Sequence, residues 1–188
     1  MDAESFTLLA LVPPGSAEAE VGRLQAGIFA AQGLLSAMAM PPLVPIAFIA
    51  TPPPEGAQSG AGALLGELEH SVHAPWHIRV SGPAWVSGWL YLGIDSGGMW
   101  AGLRSLALAR CGGEMQAAPF PAAEGFFLGC GEATPQQRQE IAPAASALSF
   151  SSGDLALVRM RTVGSGAWWK DVDWETIDER PLRGRRQR

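Results

Sequence analysis

Histidine is scarce in this chain, and its three copies, His70, His73 and His77, crowd into one short stretch. Imidazole acid–base pairs drawn from distant parts of the chain are therefore excluded. His70 and His73 lie one helical turn apart, a chelating spacing, but zinc needs further ligands and supporting partners. No cysteine or carboxylate stands at a suitable spacing, and Pro75 separates His77 from the helix, so neither a metal nor another cofactor is expected. Cysteine is rarer still. Cys111 and Cys130 show no metal or redox spacing and read as buried free thiols. The longest charge-free run, Leu24–Pro54, would be broken as a membrane helix by Pro41, Pro42 and Pro45, so no membrane partner is expected. The opening MDAESF is acidic and unlike a secretory signal, which points to a cytoplasmic protein. Phosphate-loop and dinucleotide fingerprints are missing around Gly60–Gly62 and Gly164–Gly166, and there is no Gly-x-Ser-x-Gly nucleophile elbow.

What is present is enough apolar sequence for a core. With 188 residues, 47% hydrophobic and 16% charged, the chain reads as one globular domain over 1–179 with a basic tail over 180–188. All 18 acidic residues precede Arg180, and five of the 13 bases, Arg180, Arg183, Arg185, Arg186 and Arg188, close the chain. An acidic body repels a phosphate backbone, so RNA contact is at best weak and confined to the tail and to freer tryptophans such as Trp85, Trp100 and Trp169.

Apolar runs and turn residues predict the elements. Phe6–Val12 is a strand ended by Pro13-Pro14-Gly15, and Ser16 is a candidate N-cap. Val21, Leu24 and Ile28 form one helix face, stopped at Gly33. Pro41–Ile49 is a strand that Pro45 forces to be bulged or at an edge. Thr51–Gly62 is a loop, and Leu64, Leu65, Leu68 and Val72 give a helix face. Trp76–Ser81 and Trp85–Ile94 are strands, and Asp95–Gly98 is a turn. Met99, Leu103 and Leu106 lead a helix ended by Gly112-Gly113. Gly125–Cys130 is a strand, Thr134–Gln137 a capping box, Ser151–Asp154 a turn and Asp154–Val163 a strand. Trp168–Ile177 is a final strand, with Trp168, Val172, Trp174 and Thr176 on one face.

These elements repeat. A slide of about 81 residues lays Leu8–Pro14 over Trp89–Asp95, Leu43–Pro45 over Glu124–Phe126 and Trp76–Ser81 over Leu157–Thr162. The expected fold is α+β: two pseudo-symmetric lobes, roughly 6–81 and 85–177, each a β-α-β-α-β unit, around a central cleft.

The run LLALVPPG with its following helix, the strand PPLVPIAF, the pair SGPAWVSGWLYLGI, the strand FPAAEGFFLG and the closing LALVRMRTVG…WWKDVDWETI together resemble the 2′-5′ RNA ligase-like branch of the two-histidine phosphoesterase superfamily. That resemblance implies a cyclic phosphodiesterase-like fold and one His-x-Thr/Ser motif per lobe facing the cleft. One imidazole would activate the nucleophile, the other would protonate the leaving oxygen, and the hydroxyls would hold phosphate oxygens. No histidine here is followed two residues later by Thr or Ser. The positions matching the motifs are Leu43 and Pro45 in the first lobe and Glu124 and Phe126 in the second. The expectation is a member that has lost phosphodiesterase and ligase activity and binds a protein or an apolar ligand at the cleft. The alternative is an altered RNA or cyclic-nucleotide phosphoesterase that uses Glu124 and cleft arginines. Arg159, Arg161 and Trp169 are the candidate binding residues.

Overall fold

The apolar stretches do fold as sheet, but the chain weaves between two sheets. In a computed structural model, the residues described are 3–49, 58–72, 76–111, 113, 118–141, 148–151, 153–163 and 167–182. The strands are β1 (Ala3–Val12), β2 (Val44–Ile49), β3 (Ile78–Val86), β4 (Trp89–Asp95), β5 (Gly125–Gly129), β6 (Ser149–Phe150), β7 (Asp154–Val163) and β8 (Val172–Pro181). Among the described residues, four α-helices join them: α1 (Gly15–Gln32), α2 (Gln58–Ser71), α3 (Met99–Arg110) and α4 (Pro135–Glu140). One antiparallel sheet has the order β2-β1-β7-β8 and the other β5-β4-β3-β6. The first sheet thus joins the two opening strands of the chain to its two closing strands. A cut between residues 81 and 85 passes through β3 and does not separate the sheets.

Local chemistry explains most element ends. Helix α1 starts at Gly15 rather than after a Ser16 cap. Pro14 is extended, and its carbonyl accepts from Ala17 and Glu18, which places Ser16 inside the first turn. Gly33 ends the helix in the left-handed conformation and donates to Phe29 O. Helix α4 has the full Thr134/Gln137 capping box. Helix α2 begins at Gln58, inside the stretch expected to be loop. Trp85–Ile94 is not one strand. Ser87 and Gly88, both at positive φ, make a two-residue hairpin between β3 and β4. Trp168–Lys170 is a 3₁₀ turn, and β8 starts only at Val172. At the other end β8 runs to Pro181 and Leu182 is buried, so the fold extends past the expected start of the tail. His73, Gly112, Gly164–Gly166 and the tail from residue 183 lie outside the described residues.

Two apolar layers follow from strand alternation. Leu9 and Leu11 of β1 and Leu155 and Leu157 of β7 face the helices, together with Leu65 and Leu68 of α2 and Leu103 of α3. Phe6, Leu8 and Ala10 of β1, with Ala156, Val158 and Met160 of β7, face the other way and meet Tyr91 and Phe127 of the second sheet. Among the described residues no helix is long and apolar enough to cross a membrane.

Candidate functional site

The layer between the sheets is the place to look for the site, because the inward positions of both sheets converge there. Ladder partners identify those positions. Ala10 pairs with Pro45 and Leu11 with Val44, while Tyr91 pairs with Phe127 and Gly93 with Gly125. Ala10 and Tyr91 occupy the same place in the two sheets, one slide of 81 residues apart. Pro45 therefore corresponds to Phe127, and Leu43 to Gly125. Glu124 and Phe126, the residues expected here, each stand one residue away, and in a strand one residue reverses the face, so Phe126 lies in the helix-side layer and Phe127 in the inter-sheet layer. The four inward positions are Leu43, Pro45, Gly125 and Phe127. None carries a group that titrates or a hydroxyl.

Aromatic rings occupy this space. Phe127 is 0% and Leu43 1% exposed. Phe120 stacks on Phe127 with centroids 4.1 Å apart and meets Phe48 edge-on at 4.9 Å. Trp89 lies 5.5 Å from Phe127 and 5.6 Å from Trp168. The Phe127 amide donates to Leu43 O at 3.2 Å and joins the two sheets at β2 and β5. Gly125 has no room for a side chain: a Cβ there would lie 2.8 Å from Leu92 O and 3.1 Å from Gly93 Cα. Tyr91 donates its hydroxyl to Pro121 O, and burial pushes its phenol well above the usual range, so it is no base at neutral pH.

The other candidates lie elsewhere. Glu124 points away from the aromatic layer. Its carboxylate accepts from the Ser96 amide and hydroxyl, and Ser96 Oγ accepts from Trp100 N at 3.1 Å. Glu124 thus holds the serine that caps α3, where the N-cap residue Gly98 has no side chain to do so. Phe126 packs on Phe150, 5.9 Å away, in the helix-side layer. Arg159 shares the strand parity of Leu155 and Leu157 rather than that of Val158 and Met160. Arg159 and Arg161 both reach Glu175, at 2.9 and 3.4 Å, on the outer face of the sheet. They do not line the inter-sheet space. Trp169 does reach its edge, 5.7 Å from Trp89.

The tryptophans are mostly structural. The Trp100 indole donates to Pro45 O at 3.0 Å, and Arg138 covers Trp85 at 5.1 Å. Trp174, on the same predicted strand face as the buried Trp168, is 43% exposed because β8 is the last strand of its sheet. Burial raises both thiols, Cys130 to about 12 with help from the Glu132 charge, so neither is a ready nucleophile. His70 Nδ1 donates to Gly66 O, His77 is exposed, and no metal-binding group of three ligands occurs among the described residues. What sequence reasoning missed is the identity of Gly125 and Phe127 as the inward pair. The alternation of Phe126 and Phe127 carried no sign of which ring faced in.

No family model and no curated protein sequence matches the chain. Among solved structures, the protein TT0787 of Thermus thermophilus superimposes with a TM-score of 0.64, covering 96% of this chain and 100% of that one at 18% identity. That likeness is one of fold.

Proposed function

We propose that this chain is a non-catalytic relative of the two-histidine phosphoesterases, retained as a binding or interaction module. The observation that carries the reading is the content of the four inward positions. Where the family reaction needs two imidazoles and two hydroxyls, this chain has Leu43, Pro45, Gly125 and Phe127, all buried, with Leu43 and Phe127 packed among aromatic rings. The matching sheet orders, with β2-β1-β7 answering to β5-β4-β3, support a duplicated origin. Fold and chemistry are separable, and a scaffold that loses its catalytic groups keeps its surfaces.

A surviving phosphoesterase built on Glu124 and arginines has less support. Glu124 is spent on Ser96, and Arg159 and Arg161 are spent on Glu175 on the far side of the sheet. The test is an assay of the purified protein on 2′,3′-cyclic nucleotides and on 2′-5′-linked oligonucleotides, with Glu124→Gln alongside. No turnover by either protein is expected. Turnover by the unmodified protein that disappears in Glu124→Gln would establish a rebuilt active site instead.

A further inference from the structure

On the helical side of the molecule, away from the inter-sheet layer, a cavity of about 550 Å³ opens between the end of α2 and the start of α3. Its size falls within the range of roughly 300–1,000 Å³ typical of small-molecule sites. Val72, Trp76, Met99, Leu103 and Leu106 give it an apolar wall. Trp76 is only 6% exposed, and its indole Nε1 is buried without a hydrogen-bond partner. That nitrogen lies beneath the wall, out of reach of a water-sized atom in the cavity, so Trp76 offers the cavity its ring and not its N–H.

We propose that this cavity binds a small, uncharged, largely apolar molecule. An anion at the α3 N-terminus is disfavoured by what already stands there. The amides of Ser96 and Gly97 donate to the Glu124 and Asp95 carboxylates, and those of Met99 and Trp100 donate to Ser96 O and Oγ. The two carboxylates would repel a further negative charge. A neutral ligand meets no such penalty, and the wall rewards apolar area. Gly98, Met99, Gly102, Leu103 and Leu106 form the stripe of α3 that faces the cavity, with Gly102 in its middle. A Cβ at Gly102 would meet nothing within 4 Å, so the volume there is open rather than packed. The site is independent of whether the inter-sheet layer is catalytically silent.

The experiment titrates the full chain with Prodan, a neutral naphthalene ketone whose emission shifts to the blue in apolar surroundings. The expected result is saturable one-site binding. Gly102→Phe, which fills open volume without backbone collision, should weaken it at least about tenfold, as loss of the apolar pocket requires. A second readout uses the unmodified protein and the Trp76 ring that lines the cavity. Its indole N–H cross-peak, one of seven from tryptophan, should move most during the titration. Absence of a saturable shift, binding indifferent to Gly102→Phe, or a static Trp76 cross-peak would each overturn the proposal. A cavity that holds only water gives the first of these results.

Discussion

One missing methyl group at position 125 decides whether the inter-sheet layer can hold a further side chain there. A Cβ there would press on Leu92 O and Gly93 Cα, which are backbone atoms that cannot swing aside. Gly125→Ala should therefore destabilise the protein by about 1–3 kcal/mol in urea unfolding, the usual cost of overpacking. Gly125→His should damage the fold more severely still. Glu124 makes the complementary point, because its worth is structural. Removing its carboxylate leaves the buried Ser96 and the first turn of α3 short of a partner. Glu124→Ala should cost about 1–2 kcal/mol, and the loss should appear as faster amide exchange at the start of α3. Glu179 gives a pH prediction. Burial first, then its hydrogen bond to Asp154 and the charges of Asp154 and Glu18, hold its carboxyl above the ordinary value. The folded chain thus binds more protons there than the unfolded chain, and stability falls as pH rises from the ordinary carboxylate value through the raised one. Glu179→Gln should flatten that slope and raise stability at neutral pH. The gain should stay within about 1 kcal/mol, since the group is largely solvated and screened. Urea midpoints across the acidic-to-neutral range check this. Residue-level signals were legible where one residue type has one use, as with Gly33 and the Thr134 box. They were ambiguous at Glu124, where a carboxylate serves equally as an acid and as a cap partner.

Among the elements, β2 shows how a proline is accommodated in a strand. It is an edge strand with a bulge after Pro45, as the sequence implies. What the sequence could not reveal is the covering. The Pro45 and Ile46 carbonyls, displaced by the bulge, are taken by the Trp100 indole and the Arg104 guanidinium of α3. Trp100→Phe should leave Pro45 O unpaired and destabilise by about 1 kcal/mol with little change in fold, measurable by urea unfolding. The β3–β4 hairpin was misread for a physical reason. Gly82-Pro83 looks like a strand break, yet it lies within β3, next to a bulge in the ladder. The actual turn, Ser87-Gly88, sat inside an apolar run. Likewise Trp168–Lys170 satisfied an alternating pattern but forms a 3₁₀ turn that inserts Trp168 between the sheets.

At the scale of the whole molecule, the α+β class and most element positions were readable from periodicity, because each strand and helix carries its own face. The exchange of strands between halves was not. Which strand pairs with which depends on contacts far apart in sequence, such as β1 with β7, and a local pattern does not encode them. The likeness to the Thermus thermophilus protein TT0787 extends over nearly the whole chain, so the two-sheet arrangement has a counterpart among solved structures. The central claim is that the space between the sheets is packed core and not a substrate cleft. Phe127 stands at its centre, fully buried and in ring contact with Phe120, Trp89, Tyr91 and Trp168. The decisive measurement is the unfolding free energy of Phe127→Ala against the unmodified protein. The account predicts a loss of about 3–5 kcal/mol, the cost of a cavity in a packed core. A loss below about 0.5 kcal/mol, the size expected of an exposed side chain, would mean that Phe127 lines an open cleft, and would contradict it.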